Sequence, residues 1–141
     1  MKISIVYDSR TGTTQSAAKN MAKLLETQGH DCMVESIATA DPERVSEADM
    51  ICVGSWTQGL FILLQHPTRA SMQFINRMGN LKGKKALVFC TYKLATGSLL
   101  AKMTHALEAL GAEVVGQFKY RGPEPTDEFR AFAESTTTES N

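Results

Sequence analysis

Six residues near the start of the chain, Ser9-Arg10-Thr11-Gly12-Thr13-Thr14, have the types and spacing to hold an anion. They follow Ile3-Ser4-Ile5-Val6-Tyr7, a short apolar run rich in β-branched residues, and so stand at a strand end. They precede Ala17, Ala18, Met21, Ala22 and Leu25, which recur at helical spacing, and so they open a helix. The first backbone N–H groups of a helix lack internal partners, and the helix dipole favours negative charge there. The hydroxyls of Ser9, Thr11 and Thr14 can add hydrogen bonds to phosphate oxygens, and Gly12 lets the backbone come close. Ser and Thr are also common at helix starts, so the stretch by itself is equally an ordinary cap. It contains no Lys, and the chain has no G-x-x-x-x-G-K-[ST], which argues against a nucleoside triphosphate with its magnesium. No G-x-G-x-x-G follows a strand, which argues against a dinucleotide pyrophosphate. What remains is a single terminal phosphate held by hydroxyls and amides.

Two further polar loops follow apolar strands. Met50-Ile51-Cys52-Val53 leads into Gly54-Ser55-Trp56-Thr57-Gln58-Gly59, a turn-rich loop holding the only Trp. Ala86-Leu87-Val88-Phe89-Cys90 leads into Thr91-Tyr92-Lys93-Leu94-Ala95-Thr96-Gly97. Cys90 reads as a small buried apolar residue rather than a reactive thiol. His30, His66 and His105 are scattered and read as solvated. No general acid, nucleophile or metal set stands out. Asp8 is similar to the acidic end of strand one in response-regulator receivers, but Val53-Gly54 occupies the place of their phosphoacceptor Asp. No C-x5-R opens a helix, so a cysteine phosphatase is excluded as well.

The elements that position these loops alternate. Residues 2–7 form the first strand and residues 12–28 a helix ending near Gly29. Residues 32–37 form a weaker strand whose polar content suits a sheet edge, and a short helix spans Pro42 to Ala48. The run from Met50 and the run from Ala86 are apolar throughout, as in strands buried on both faces. Between them residues 66–78 form a helix with Pro67 in its first turn. Leu99, Leu100, Met103, Leu107 and Leu110 make a helix face closed by Gly111, and Glu113 to Tyr120 is the last strand. Thr126 caps a final short helix with Asp127 and Glu128 in its first turn and Phe129 and Phe132 facing inward. The alternation implies an α/β protein with a parallel sheet covered on both faces. Residues 1–135 form one domain, and residues 136–141 a frayed, disordered C-terminal tail.

At 141 residues the chain is long enough for a sizeable core, and fifteen basic residues balance fifteen acidic ones, so no nucleic-acid partner is implied. No apolar run approaches the roughly 18 residues of a membrane span, and the N-terminus enters a strand without a signal peptide. Cys32, Cys52 and Cys90 are isolated and odd in number, which fits reduced thiols in a cytoplasmic protein.

Ser-x-Thr-Gly-x-Thr after the first strand resembles the phosphate loop of the flavodoxins, which holds the FMN phosphate without a cationic side chain. The resemblance covers residues 2 to 134, and without the inserted loop of long-chain members it is similar to the short-chain class. It implies a flavodoxin-like doubly wound five-stranded sheet of order 2-1-3-4-5, with the ligand crevice at the carboxyl ends of strands one, three and four. It implies FMN bound by Ser9, Arg10, Thr11, Gly12, Thr13 and Thr14 at the phosphate. Ser55, Trp56, Thr57, Gln58 and Gly59 would then lie on one side of the isoalloxazine, and Thr91, Tyr92, Lys93, Leu94 and Gly97 on the other. Trp56 would lie against one ring face; Tyr92 would line the pocket and Leu94 cover the second face.

The implied function is electron transfer between an NAD(P)H- or ferredoxin-linked reductase and an acceptor oxidoreductase, as a monomer or weak homodimer. The alternatives are a small FMN oxidoreductase acting on a quinone or flavin, and a non-redox module that has lost its flavin. The chain departs from the family in its zero net charge and in flavin loops without Asp or Glu, where Lys93 adds a positive charge. Both departures imply a less negative potential for the reduced flavin.

Overall fold

The computed structural model describes residues 1–57, 67–92 and 98–136. Its strands are β1 (Lys2–Asp8), β2 (Asp31–Ser36), β3 (Met50–Trp56), β4 (Lys85–Thr91) and β5 (Glu113–Tyr120). Its helices are α1 (Thr13–Thr27), α2 (Pro42–Val45), α3 (Arg69–Arg77), α4 (Leu99–Ala109) and α5 (Asp127–Ser135). The strands form one sheet in the order β2-β1-β3-β4-β5, and every pairing is parallel. The polar strand, β2, lies at an edge as its composition implies.

Alternate side chains of the sheet feed two cores. One joins Ile3, Ile5, Cys52, Phe89 and Tyr120 to Met21 and Leu25 of α1 and Phe129 of α5. The other joins Ile51, Val53 and Val88 to Phe74 and Ile75 of α3 and Met103 and Leu107 of α4. The central strands are therefore buried on both faces, which is why they read as unbroken apolar runs. Gly54 is required by packing: a Cβ there would stand 2.1 Å from Cζ of Phe89, whose ring fills that space. Burying these side chains at roughly 1.5–3 kcal/mol each is the main drive for the layered fold.

The structure corrects several local expectations. β3 runs on through Gly54, Ser55 and Trp56, because Ser55 and Trp56 keep register with Cys90 and Thr91 of β4. α3 starts at Arg69, with Thr68 as its cap accepting from the Ser71 N–H, so Pro67 precedes the helix instead of opening it. Thr126 stands at the cap position of α5 without a side-chain capping bond; the acidic pair Asp127 and Glu128 is left to favour that helix end. His30 is buried rather than solvated. Its Nδ1 lies 3.1 Å from the Met1 amino group and its Nε2 lies 2.8 Å from Thr136 Oγ1, whose hydroxyl donates to the Ala133 carbonyl. Thr136, the first residue of the expected tail, is thus packed into the domain, and residues 137–141 lie outside the described residues. His105 is exposed as expected.

Candidate functional site

The turn between β1 and α1 is set by Gly12, whose φ of 93° and ψ of −7° place it in the left-handed region. Nothing lies within 4 Å of where a Cβ would stand, so the demand for glycine comes from the backbone alone. Ser9 Oγ folds back into the turn and accepts from the N–H of Gly12 at 3.0 Å and of Gln15 at 3.4 Å. The Thr11 and Thr13 hydroxyl oxygens are 3.4 Å apart. Among the described residues, no acceptor meets the backbone N–H of Thr13 or Thr14. No acidic residue occupies the first turn of α1. Thr14 is only 1% exposed, so its amide is a buried donor without a partner among the described residues. Such donors at a helix start call for an acceptor with negative charge.

The Thr14 hydroxyl does not stand free. It lies 2.7 Å from the hydroxyl of Thr91 at the end of β4, and both side chains are buried. The Thr91 carbonyl accepts from the Thr57 N–H and from the Thr57 hydroxyl, each at 3.0 Å. Ser55 is turned the other way: its hydroxyl donates to the Trp56 carbonyl at 2.8 Å and accepts from the Thr68 N–H at 3.0 Å. The Thr68 and Ser71 hydroxyls are bonded to each other beneath it. Ser55 thus pins the start of α3. Thr68 and Ser71 escaped notice as partners because hydroxyls at a helix start read simply as a cap.

Two aromatic side chains, both half-buried, stand at this edge of the sheet. The Arg10 guanidinium carbon lies 5.5 Å from the centre of the Trp56 ring, and that of Arg121 lies 5.5 Å from the centre of the Tyr92 ring. Arg121 Nε also donates to the Tyr92 hydroxyl at 3.3 Å, and the Tyr92 N–H donates to the Tyr120 carbonyl at 3.1 Å. Arg121 was missed in the sequence. The available signal was its place directly after β5, at the same carboxyl edge as the two loops. Gln58, Gly59, Lys93, Leu94 and Gly97 lie outside the described residues.

Burial favours the protonated form of all three thiols. Burial pushes the Cys90 thiol up to about 12, against smaller opposing effects of a Thr57 side-chain hydrogen bond and Lys119. Burial also raises the thiol of Cys52, and raises Cys32 to about 12 with help from Glu26 and Asp31. Among the described residues, no cluster of His, Cys, Asp and Glu could hold a metal, and no helix is long and apolar enough to cross a membrane.

The family model for flavodoxin matches residues 5–135. The chain belongs to the flavodoxin family. It is similar to the two-electron reduced flavodoxin of Megasphaera elsdenii, with a TM-score of 0.80 and 22% identity over 96% of this chain and 98% of that one. It is also similar to oxidised flavodoxin 2 of Bacillus cereus, with a TM-score of 0.77 and 25% identity over 100% of both chains. A third likeness is to rubredoxin oxygen:oxidoreductase of Desulfovibrio gigas, with a TM-score of 0.71 and 17% identity. It covers 97% of this chain but only 34% of that larger one.

Flavodoxins are electron carriers that bind FMN, and this chain is accordingly an FMN-binding electron-transfer protein. The residues fit that cofactor on structural grounds of their own. The Thr13 and Thr14 amides, which meet no acceptor among the described residues, match a terminal phosphate, and Trp56 and Tyr92 offer aromatic surface at the same edge. These residues also lie at the carboxyl ends of β1, β3 and β4, where strand order reverses and flavodoxin-like sheets take FMN.

Proposed function

We propose that this flavodoxin holds the FMN phosphate on the turn Ser9–Thr14 and the isoalloxazine beside Trp56 and Tyr92. In this reading it shuttles electrons from an NAD(P)H- or ferredoxin-linked reductase to an acceptor oxidoreductase. The observation that carries the reading is the pair of donors at the start of α1, one of them on a residue only 1% exposed, with no acceptor among the described residues.

FMN supplies the electron chemistry when bound. The chain supplies the rest. The Thr13 and Thr14 amides and the helix dipole meet the phosphate charge, and Ser9 and Gly12 hold the turn in shape. Trp56 and Tyr92 shield the ring from water, each backed by an arginine. The three separate cysteines support residence in a reducing, cytoplasmic compartment, with the chain acting as a monomer or weak homodimer.

The test is an absorbance spectrum of the purified protein followed by NAD(P)H oxidation with and without an added reductase. A flavin spectrum, with turnover only when the reductase is present, is the expected result. Turnover by the protein alone would make it an enzyme with its own substrate, and a colourless protein that takes up no FMN would refute the reading.

A further inference from the structure

The two edges of the sheet are finished differently. β5 pairs with β4 through a register shift between Ala86 and Leu87, and it carries the exposed Lys119. Bulges and lysines of this kind blunt an edge against further pairing. β2 has neither. It pairs with β1 without a break from Lys2–Asp31 to Tyr7–Ser36, and it contains no Lys, Arg, Pro or Gly. The Asp31 N–H donates to the Met1 carbonyl and the Ile37 N–H to the Tyr7 carbonyl, so odd-numbered residues of β2 turn their amide groups towards β1. Cys32 and Val34 turn theirs outward, where they meet no partner among the described residues.

Apolar side chains flank this open edge on both faces. Cys32, Val34 and Leu24 are only partly buried against the core under α1. On the other face α2 is a single turn, and Met33 is left 50% exposed. Beside Met33 runs a groove of about 280 Å³, lined in part by Lys2, Ser4, Asp31, Arg44 and Glu47. Two cations and two anions on one surface can be matched in sign by a rotated copy of the same surface. Glu35, in the strand itself, is paired with Arg44 at 2.7 Å.

We propose that β2 is a dimerisation edge, on which a second copy of this chain pairs its own β2 antiparallel about a two-fold axis. Opposed residues must then share a face of the sheet, which leaves only registers centred on a residue. With Val34 on the axis, its outward amide groups meet those of the other copy. Cys32 then lies opposite Ser36 and Met33 opposite Glu35, with no like charges opposed. With Met33 on the axis, Asp31 would oppose Glu35 twice, which repulsion disfavours. The Val34 register also brings the Glu35–Arg44 pair of each copy to the groove of the other, where Lys2 and Glu47 offer both signs. The contact is isologous and closes at two copies. It uses none of the residues assigned to the flavin and does not depend on that assignment.

The test is sedimentation velocity on the full chain as purified, over about a hundredfold range of concentration. The mass should move from one chain towards two as concentration rises. Met33→Lys sets a charge on an exposed edge position and should weaken the dimer about tenfold or more. Val34→Pro removes an N–H that points away from β1, so the strand keeps its bonds to the sheet while the pairing at the axis is lost; it should weaken the dimer as much. Amide hydrogen exchange at Cys32 and Val34 should slow with concentration in the unsubstituted chain, while exchange in β5 should not change. Circular dichroism checks the fold of each variant, and Met33→Lys with the exchange data decides the matter if Val34→Pro does not fold. A chain that stays monomeric, one that assembles beyond two copies, or a Met33→Lys variant that dimerises as well as the unsubstituted chain overturns the proposal. Absence of bound FMN from a chain that still dimerises through β2 would refute the flavin reading alone.

Discussion

Replacing Arg121 with Gln should make the bound flavin harder to reduce, by an amount that depends on salt. Two-electron reduction at neutral pH adds two electrons and one proton, so the ring goes from neutral to singly negative and a nearby cation favours the product. The Arg121 guanidinium carbon lies 5.5 Å from the Tyr92 ring centre. A flavin on the opposite face of Tyr92 would stand about 3.5 Å beyond it, putting the charge about 9 Å from the flavin. At an effective dielectric of about 20 this is worth roughly 1.8 kcal/mol before screening. Arg121 is exposed, and screening over a Debye length of about 8 Å at physiological salt leaves about 0.6 kcal/mol. For a two-electron couple that is about 13 mV. At 0.01 M salt the Debye length is about 30 Å, and the shift should grow to roughly 30 mV. Arg10, at the same 5.5 Å from Trp56, should act similarly from the other aromatic. The assay is a redox titration of Arg121→Gln, Arg10→Gln and the double variant at both salt concentrations. Potentials that stay unchanged at low salt, with FMN still bound, would show that neither arginine backs the flavin.

Three further outcomes follow from the geometry. Gly12→Ala meets no atom but forces alanine into the left-handed region at a cost of about 1–2 kcal/mol, so FMN should bind about tenfold more weakly in a fluorescence titration; undiminished affinity would show that the bound turn does not keep this conformation. Tyr120 is fully buried and its hydroxyl has no partner among the described residues; Tyr120→Phe should therefore stabilise the protein by about 1 kcal/mol in urea unfolding, and a loss of stability would reveal a buried water on that oxygen. The Cys90 thiol has an ordinary value of 9.0 and is pushed up to about 12 in the fold, so the folded state holds a proton that the unfolded chain releases. Its contribution to stability is fully present below pH 9 and is lost as the pH rises towards 12, at up to about 1.4 kcal/mol per pH unit. Unfolding curves at several alkaline pH values should be less steeply pH-dependent in Cys90→Ala, and equal slopes would contradict this.

The sequence alone carried the alternation of strands and helices, the edge position of β2 and the place of the turn that opens α1. Those features are local. The apolar runs of β3 and β4 report burial on both faces, the helical spacing from Ala17 to Leu25 reports one covered face, and Gly12 marks a backbone that other residues adopt only with strain. Which hydroxyl meets which was not legible, because side-chain partners depend on strand register and on the alternation of faces. That register aligns Trp56 with Thr91 and turns Ser55 onto the face of α3. It was the tertiary structure that brought Thr14 onto Thr91, set Arg121 against Tyr92 and buried His30 between Met1 and Thr136. Residues 29, 77 and 106 positions apart share no local pattern; they meet only when the sheet and its helices close around them.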